Sequence, residues 1–342
     1  MKRIIAGVLI IIMITSAVFV TSCKKDGEED FQAYEVTEVN VIIGEGTEWE
    51  LDGILSLPVN AGDKVPAVVL VHGSGGSDMD ESGGVNHAYR PFKDIADYLS
   101  ARGIAVLRYN KRTYTHIDEM RQIYKDLTLK EETIDDAVLA ANILKNDSRI
   151  DSEKVFVLGH SLGGMAAPRI DAEGGNFAGL IIFAGSPRRF ADIWYDQAMN
   201  EVNSYETEEM KVSGMAQIDE YMKYFDSFKD MTDEEAKEYT LIGATGYYYK
   251  EMDAYPSNEY LKNLEKPALI MQGGKDFQVF ADKDYAEYQT LLQGKENVAF
   301  KLYPELNHFF VTSTLGTVKE YRKKEPVNPE VLQDICDWIN AN

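Results

Sequence analysis

The sequence predicts an α/β protein: a mostly parallel central sheet with helices on both faces, entered through an antiparallel N-terminal hairpin and carrying a helical cap insertion. Three observations predict it. Six short apolar runs, "VPAVVLV" (65–71), "GIAVLRY" (103–109), "KVFVLG" (154–159), "GLIIFAG" (179–185), "PALIMQG" (267–273) and "VAFKLYP" (298–304), are separated by helical patterns. Strands alternating with helices imply a parallel sheet. Upstream, "YEVTEVNVII" and "EWELDGILSLP" alternate apolar and polar residues around "GEGT", as the arms of a hairpin do. Finally, "VFVLGHSLGGMAAPRI" (155–170) passes from a buried-strand pattern to a helical one across Gly159, His160, Ser161, Leu162, Gly163 and Gly164. Glycines at 159 and 163 let the chain turn sharply and the two backbones approach, which holds the serine side chain out at the end of the sheet.

In chain order, residues 1–23 come first. Lys2 and Arg3 precede an apolar run from Ile4 to Val20 and then Thr21, Ser22 and Cys23. A basic start, an apolar core and small residues are expected of a secretory signal peptide, with an uncleaved membrane anchor as the alternative. The ending Val20-Thr21-Ser22-Cys23 resembles a bacterial lipobox, which implies lipidation of Cys23 and attachment to the outer face of the cytoplasmic membrane. Residues 24–34, "KKDGEEDFQAY", are a polar tether with no packing face. The folded domain is expected over 35–342.

Within that domain, "EETIDDAVLAANILKN" places Ile134, Ala137, Val138, Ala141 and Leu144 on one face, a crossover helix. About residues 187–266 there is no apolar strand run but a wealth of methionine and aromatic residues, including Trp194, Met222, Phe225 and the consecutive Tyr247, Tyr248 and Tyr249. A long insertion between strands of an α/β sheet is usually a cap over the ligand crevice, so these tyrosines are candidate pocket residues. The last helix is announced by Asn328 as N-cap and Pro329 at the first helical position. Cys336 lies on it with the spacing of Val331, Ile335, Trp338 and Ile339, which reads as packing; Cys23 is the other cysteine, so no internal disulfide is expected.

The 342 residues carry 35 lysines and arginines against 57 aspartates and glutamates, a net charge of −22. A polyanion would meet net repulsion, which argues against a nucleic-acid partner. The patterns that would suggest zinc, H-E-x-x-H and paired cysteines, are absent, as are the G-x-G-x-x-G and G-K-[ST] spacings of phosphate-binding loops. Neither metal nor cofactor is expected.

A serine on such a turn becomes a nucleophile when a base and an acid converge on it. Groups at the carboxyl ends of strands in an open α/β sheet meet in one crevice. Asp276 follows the strand "PALIMQG" and His308 follows "VAFKLYP", giving the order serine, acid, histidine. Asp282, Asp284 and Glu305 are neighbouring alternatives for the acid. Backbone N–H groups must face the carbonyl oxygen as it becomes negative. The expected donors are Leu162, directly after the serine, and Ser74, in the loop "HGSGGS" after the first long apolar run.

The segments "VHGSGGSDMDE", "GIAVLRYNKRTYTH", "VFVLGHSLGGMAAPR", "LIMQGGKDFQV" and "FKLYPELNHFF" resemble bacterial exported α/β-hydrolases of the carboxylesterase type, close to the dienelactone-hydrolase and serine-aminopeptidase-like branch. The resemblance runs from about residue 36 to the end. It implies the α/β-hydrolase fold and a serine hydrolase acting on small-molecule carboxylic esters through Ser161, His308 and Asp276. Asn110 departs from the aspartate of the family's "RYDKR" segment, and the extra N-terminal domain of some relatives is not expected. Two rival functions use the same fold. One is an aminopeptidase or dipeptidyl peptidase, for which Glu201, Glu206, Glu208 and Glu209 in the cap are candidate anchors for a free amino group. The other is a binding lipoprotein without catalysis.

Overall fold

The computed structural model describes residues 32–342 apart from Leu315 and Lys323. The expected signal segment with Cys23, and most of the tether, lie outside the described residues. Among the described residues no helix is long and apolar enough to cross a membrane.

Ten strands are present among the described residues: β1 (Val36–Ile43), β2 (Leu51–Pro58), β3 (Val65–Val71), β4 (Ala105–Tyr109), β5 (Ile150–His160), β6 (Leu180–Phe183), β7 (Thr240–Leu241), β8 (Ala244–Thr245), β9 (Ala268–Gly273) and β10 (Val298–Tyr303). Eight form one sheet in the order β1-β2-β4-β3-β5-β6-β9-β10. The hairpin β1–β2 is antiparallel and joins the sheet antiparallel to β4; every pairing from β4 to β10 is parallel. All six apolar runs are strands of this sheet, and the alternating pair is its edge hairpin. Among the described residues β7 and β8 pair only with each other, inside the insertion.

The sheet is buried on both sides because its strands carry apolar residues at odd and even positions alike. Val69, Val71, Val155, Val157 and Ile182 join one core, with Ala137, Ala141 and Leu144 of the crossover helix Asp135–Asn146 and with Ile170 of the helix Leu162–Ile170. Val68, Leu70, Phe156, Leu158 and Phe183 join the other, with Phe92, Ile95 and Leu99 of the helix Pro91–Ser100 and with Val331, Ile335 and Ile339 of the helix Pro329–Ala341. The last helix starts where the sequence indicates: Asn328 Oδ1 accepts the Glu330 N–H at 2.9 Å, and Pro329 fills the first position. Cys336 packs in this second core, where burial pushes its thiol pKa up.

The insertion between β6 and β9 adds no strand to the sheet. It is built from the helices Phe190–Asn203, Glu208–Phe228, Asp233–Lys237, Gly246–Ala254 and Ser257–Lys262. Its own small core is aromatic: Phe225 and Phe228 are buried, Trp194 stacks on Tyr221 at 5.5 Å, and Phe190 stacks on Tyr249 at 5.2 Å.

Ile335, fully buried between its helix and the sheet, should on replacement by alanine lower the free energy of unfolding in urea by about 2–5 kcal/mol. Leu139, 38% exposed on the crossover helix, should on the same replacement change it by no more than about 0.5 kcal/mol.

Candidate active site

β5 ends at His160, and the next residue reverses the chain into a helix. Ser161 has φ 53° and ψ −116°, a backbone conformation that L-residues rarely adopt. The glycines make it possible. A Cβ on Gly159 would lie 2.2 Å from Gly163 O, and one on Gly163 would lie 2.3 Å from Val71 O. Strand, turn and helix therefore pack backbone to backbone, and Ser161 is left at the carboxyl edge of the sheet.

Asp276 and His308 come from the loops after β9 and β10. His308 Nδ1 lies 2.7 Å from Asp276 Oδ2, and both side chains are almost completely buried. Asp276 is saturated: Oδ2 also accepts Gln272 Nε2 at 2.9 Å, and Oδ1 accepts the backbone N–H groups of Gln278 (2.8 Å) and Val279 (3.0 Å). A carboxylate so placed is an acceptor, so the His308 proton sits on Nδ1 and leaves Nε2 with a free lone pair. The His308 ring lies 4.6 Å from that of His160, the residue before the serine. Among the described residues no hydrogen bond joins Ser161 Oγ to His308; in unliganded sites such contacts are often long and tighten on binding. The alternative acids lie elsewhere. Asp284 is buried against Ser186 Oγ, Arg188 Nε and the Phe280 N–H, Glu305 pairs with Lys275 at the surface, and Asp282 is exposed.

The loop after β3 approaches the serine from the other side. Gly73 packs so closely that a Cβ there would meet Ser161 Cβ at 3.2 Å. Its N–H donates to Glu81 Oε1 at 2.7 Å and its carbonyl accepts from Lys111 Nζ at 2.8 Å. Among the described residues neither the Ser74 N–H nor the Leu162 N–H donates to a backbone carbonyl. Glu81 also faces His160: Oε2 is 2.9 Å from Nδ1, and His160 Nε2 donates to the His308 carbonyl at 3.0 Å. Burial works against the charged form of each partner, but the attraction between them outweighs it, so His160 is raised and Glu81 lowered. Among the described residues His72 forms no ion pair, and although the Glu81 charge favours its protonated form, burial outweighs that effect. Burial pushes it down to about 4, and the neutral ring donates Nε2–H to the Asp78 carbonyl.

No motif in the sequence marks Glu81, His160, Lys111 or Glu132 as members of the site. His160 lies inside the serine turn and Lys111 inside the "RYNKR" segment, but no spacing signals that residues 81 and 160 are partners. Asn110 has a local role here: its Oδ1 accepts the Met79 N–H at 2.9 Å.

A cavity of about 350 Å³ opens between this loop and the cap. Ser74, Gly75 and Leu162 form its floor, with Ile117, Met120, Tyr124, Leu127 and Phe190 among its mostly apolar walls; Ser161, Asp276 and His308 do not line it. Of the three tyrosines that the sequence offers as pocket candidates, Tyr248 and Tyr249 do, and each hydroxyl is anchored, Tyr248 to Glu132 Oε2 at 2.6 Å and Tyr249 to the Leu241 carbonyl at 2.9 Å. Tyr247 corrects that expectation. Successive helical residues point about 100° apart, and its ring turns away to lie under Lys237 Nζ at 5.0 Å. Among the described residues no group of three or more histidine, cysteine or acidic side chains could hold a metal ion.

A serine on a strained strand-to-helix turn, with an aspartate-bound histidine at the carboxyl edge of a mostly parallel sheet, defines an α/β-hydrolase. Residues 91–325 match the prolyl oligopeptidase family, peptidase family S9, and the chain belongs to it. Esterase EstD of Thermotoga maritima is 35% identical over 292 residues, which are 84% of this chain and 65% of that protein. The chain thus spans just under two thirds of that relative's length. Among solved structures, Est1E from Butyrivibrio proteoclasticus superposes with a TM-score of 0.56 at 16% identity, covering 89% of this chain and 99% of that one. A puromycin-hydrolysing peptidase of Mycobacterium tuberculosis gives the same TM-score and identity over 92% of this chain and 41% of that one. At these identities the two structures speak for the fold.

The Glu81–His160 pair has a testable pH signature. Its raised pKa makes His160 contribute stability that is complete below about pH 6.5 and lost as pH rises through the raised value. In Glu81→Gln the imidazolium is buried without its partner and its pKa falls below 6.5, so the sign reverses and stability is gained as pH rises. Glu81 itself, lowered in the folded protein, stays ionised above pH 5. The Tm deficit of Glu81→Gln, followed by calorimetry from pH 5 to 9, should therefore be largest at pH 5 and shrink steadily. A deficit independent of pH would mean that the pair is not charged.

Proposed function

We propose that this protein is a serine hydrolase that cleaves carboxylic esters through an acyl-enzyme. Ser161 Oγ attacks the ester carbonyl as His308 Nε2 takes its proton. Asp276 holds the ring with Nδ1–H toward it and stabilises the imidazolium. The N–H groups of Ser74 and Leu162 receive the developing oxyanion. Collapse of the tetrahedral intermediate breaks the bond to the alcohol oxygen, which takes the proton from His308. Water then attacks the acyl carbonyl as it gives a proton to His308, and collapse of this second intermediate breaks the bond to Ser161 Oγ, which takes the proton back from His308 as the acid leaves.

The single observation that favours ester over peptide is the fate of the carboxylates. A peptidase that trims N-termini must bind a free ammonium group, but among the described residues Glu132 is the one carboxylate on the cavity wall, and its two oxygens are taken by Lys111 and by Tyr248. Glu201, Glu206, Glu208 and Glu209 are all exposed and none lines the cavity. The apolar walls suit an apolar acyl or aryl group of modest size. The name of the 35% identical relative supports the same reading. The run from Lys2 to Cys23 supports export and a lipid anchor at Cys23, which would tether the enzyme outside the cytoplasm.

Purified residues 24–342 should hydrolyse p-nitrophenyl acetate well and an amino-acid p-nitroanilide poorly; the reverse preference would make the protein a peptidase. Ser161→Ala should abolish both ester hydrolysis and labelling by a fluorophosphonate probe while the fold persists, and labelling that survives would move the nucleophile elsewhere.

For Asp276→Asn, kcat should fall on the order of 10² or more with KM little changed, because the amide favours the wrong imidazole tautomer. Asp282→Asn and Glu305→Gln should each cost less than about tenfold. Near-normal turnover in Asp276→Asn would remove Asp276 from the triad.

A further inference from the structure

The N–H of Ser74 belongs to the same peptide group as the carbonyl of Gly73. That group is planar and trans, so its C=O and N–H point in opposite directions, and whatever fixes one aims the other. Gly73 cannot supply the restraint itself. A Cβ there would crowd Ser161 Cβ at 3.2 Å, and the glycine that avoids this leaves the adjoining peptide planes free to turn. Two buried side chains supply it instead, Glu81 on the Gly73 N–H and Lys111 on the Gly73 carbonyl.

Lys111 is an unusual residue to find there. It ends the segment after β4 and is 2% exposed, its backbone N–H donating to the Ser77 carbonyl at 3.0 Å. Its ammonium reaches Gly73 O at 2.8 Å and Glu132 Oε1 at 2.5 Å. Glu132 lies in a π-helical turn (Lys130–Ile134), and its second oxygen accepts the hydroxyl of Tyr248 in the cap. Burying such a pair adds little stability compared with apolar residues of the same size. Its geometry gives it another use.

We infer that Lys111 is a positioning residue for the oxyanion hole. Held by Glu132, its ammonium sets the plane of the Gly73–Ser74 peptide so that the Ser74 N–H faces the reacting carbonyl oxygen. The charge on Gly73 O also polarises the peptide and strengthens that N–H as a donor. Through Tyr248, the same chain links the oxyanion loop to the cap helix that walls the cavity. The assignment rests on the roles proposed above for Ser161 and Ser74.

The test is the double variant Lys111→Met/Glu132→Leu, which removes both charges together so that neither is left buried and unpaired. It is assayed on an aryl ester and on its thiono analogue, in which sulfur replaces the carbonyl oxygen. Sulfur accepts N–H hydrogen bonds weakly, so thiono turnover depends less on the oxyanion donors. For the oxygen ester kcat should fall about tenfold or more, less than the 10²–10³ of losing a donor outright, with KM kept within about threefold. The thiono ester should lose much less, so the ratio of the two rates drops. An oxygen-ester kcat within twofold of wild type, or an equal loss on both esters, would overturn the inference. Lys111→Met alone gives the same ratio should the double variant fail to fold. A wild-type protein that hydrolyses neither ester would contradict the proposed function and this assignment with it; wild-type turnover with an unaltered ratio in the variant would contradict this assignment alone.

Discussion

The buried contact between Glu81 and His160 joins three loops that the sheet by itself only brings near one another. Glu81 holds the Gly73 N–H after β3, His160 closes β5 beside the serine, and the far side of the His160 ring holds the His308 carbonyl after β10. Each charge opposes its own burial, so the pair persists only as a pair. Its contribution is positional, because a shift of one loop would break the hydrogen bonds of the other two.

That fixed frame supports a strained residue. A conformation such as that of Ser161 costs on the order of 1–3 kcal/mol. It is held by a strand with Val155, Phe156, Val157 and Leu158 fully buried and by glycines that admit no other packing. The cap is organised differently, around its own aromatic cluster, and it meets the frame at Tyr248, whose hydroxyl reaches Glu132. Polar contacts elsewhere also tie the cap to the sheet layer, among them Arg169–Glu251, Arg188–Asp284 and Lys283–Asp196.

The fold was legible because its signals are local. Six strands with near-continuous apolar runs, a hairpin with alternation of period two, and a capped last helix each announce themselves within ten residues or so. Ser161, Asp276 and His308 were legible for the same reason, since each directly follows a strand of recognisable pattern. Glu81, Lys111 and Glu132 were not. They are ordinary charged residues in polar stretches, and only the tertiary fold buries them and gives them partners 79 residues away in one case and 21 in the other. The tyrosine run was half legible: composition marked it as a pocket wall, but helical rotation decides which rings face inward, and Tyr247 faces out.

The convergence of serine, histidine and backbone donors is most directly measured by a crystal structure of the protein after reaction with an alkyl phosphonate. The adduct is expected on Ser161 Oγ, with the phosphoryl oxygen about 2.7–3.1 Å from the N–H groups of both Ser74 and Leu162 and the alkyl group in the cavity under Tyr248 and Tyr249. An adduct on another residue, or a phosphoryl oxygen turned away from those two N–H groups, would contradict the site as built here.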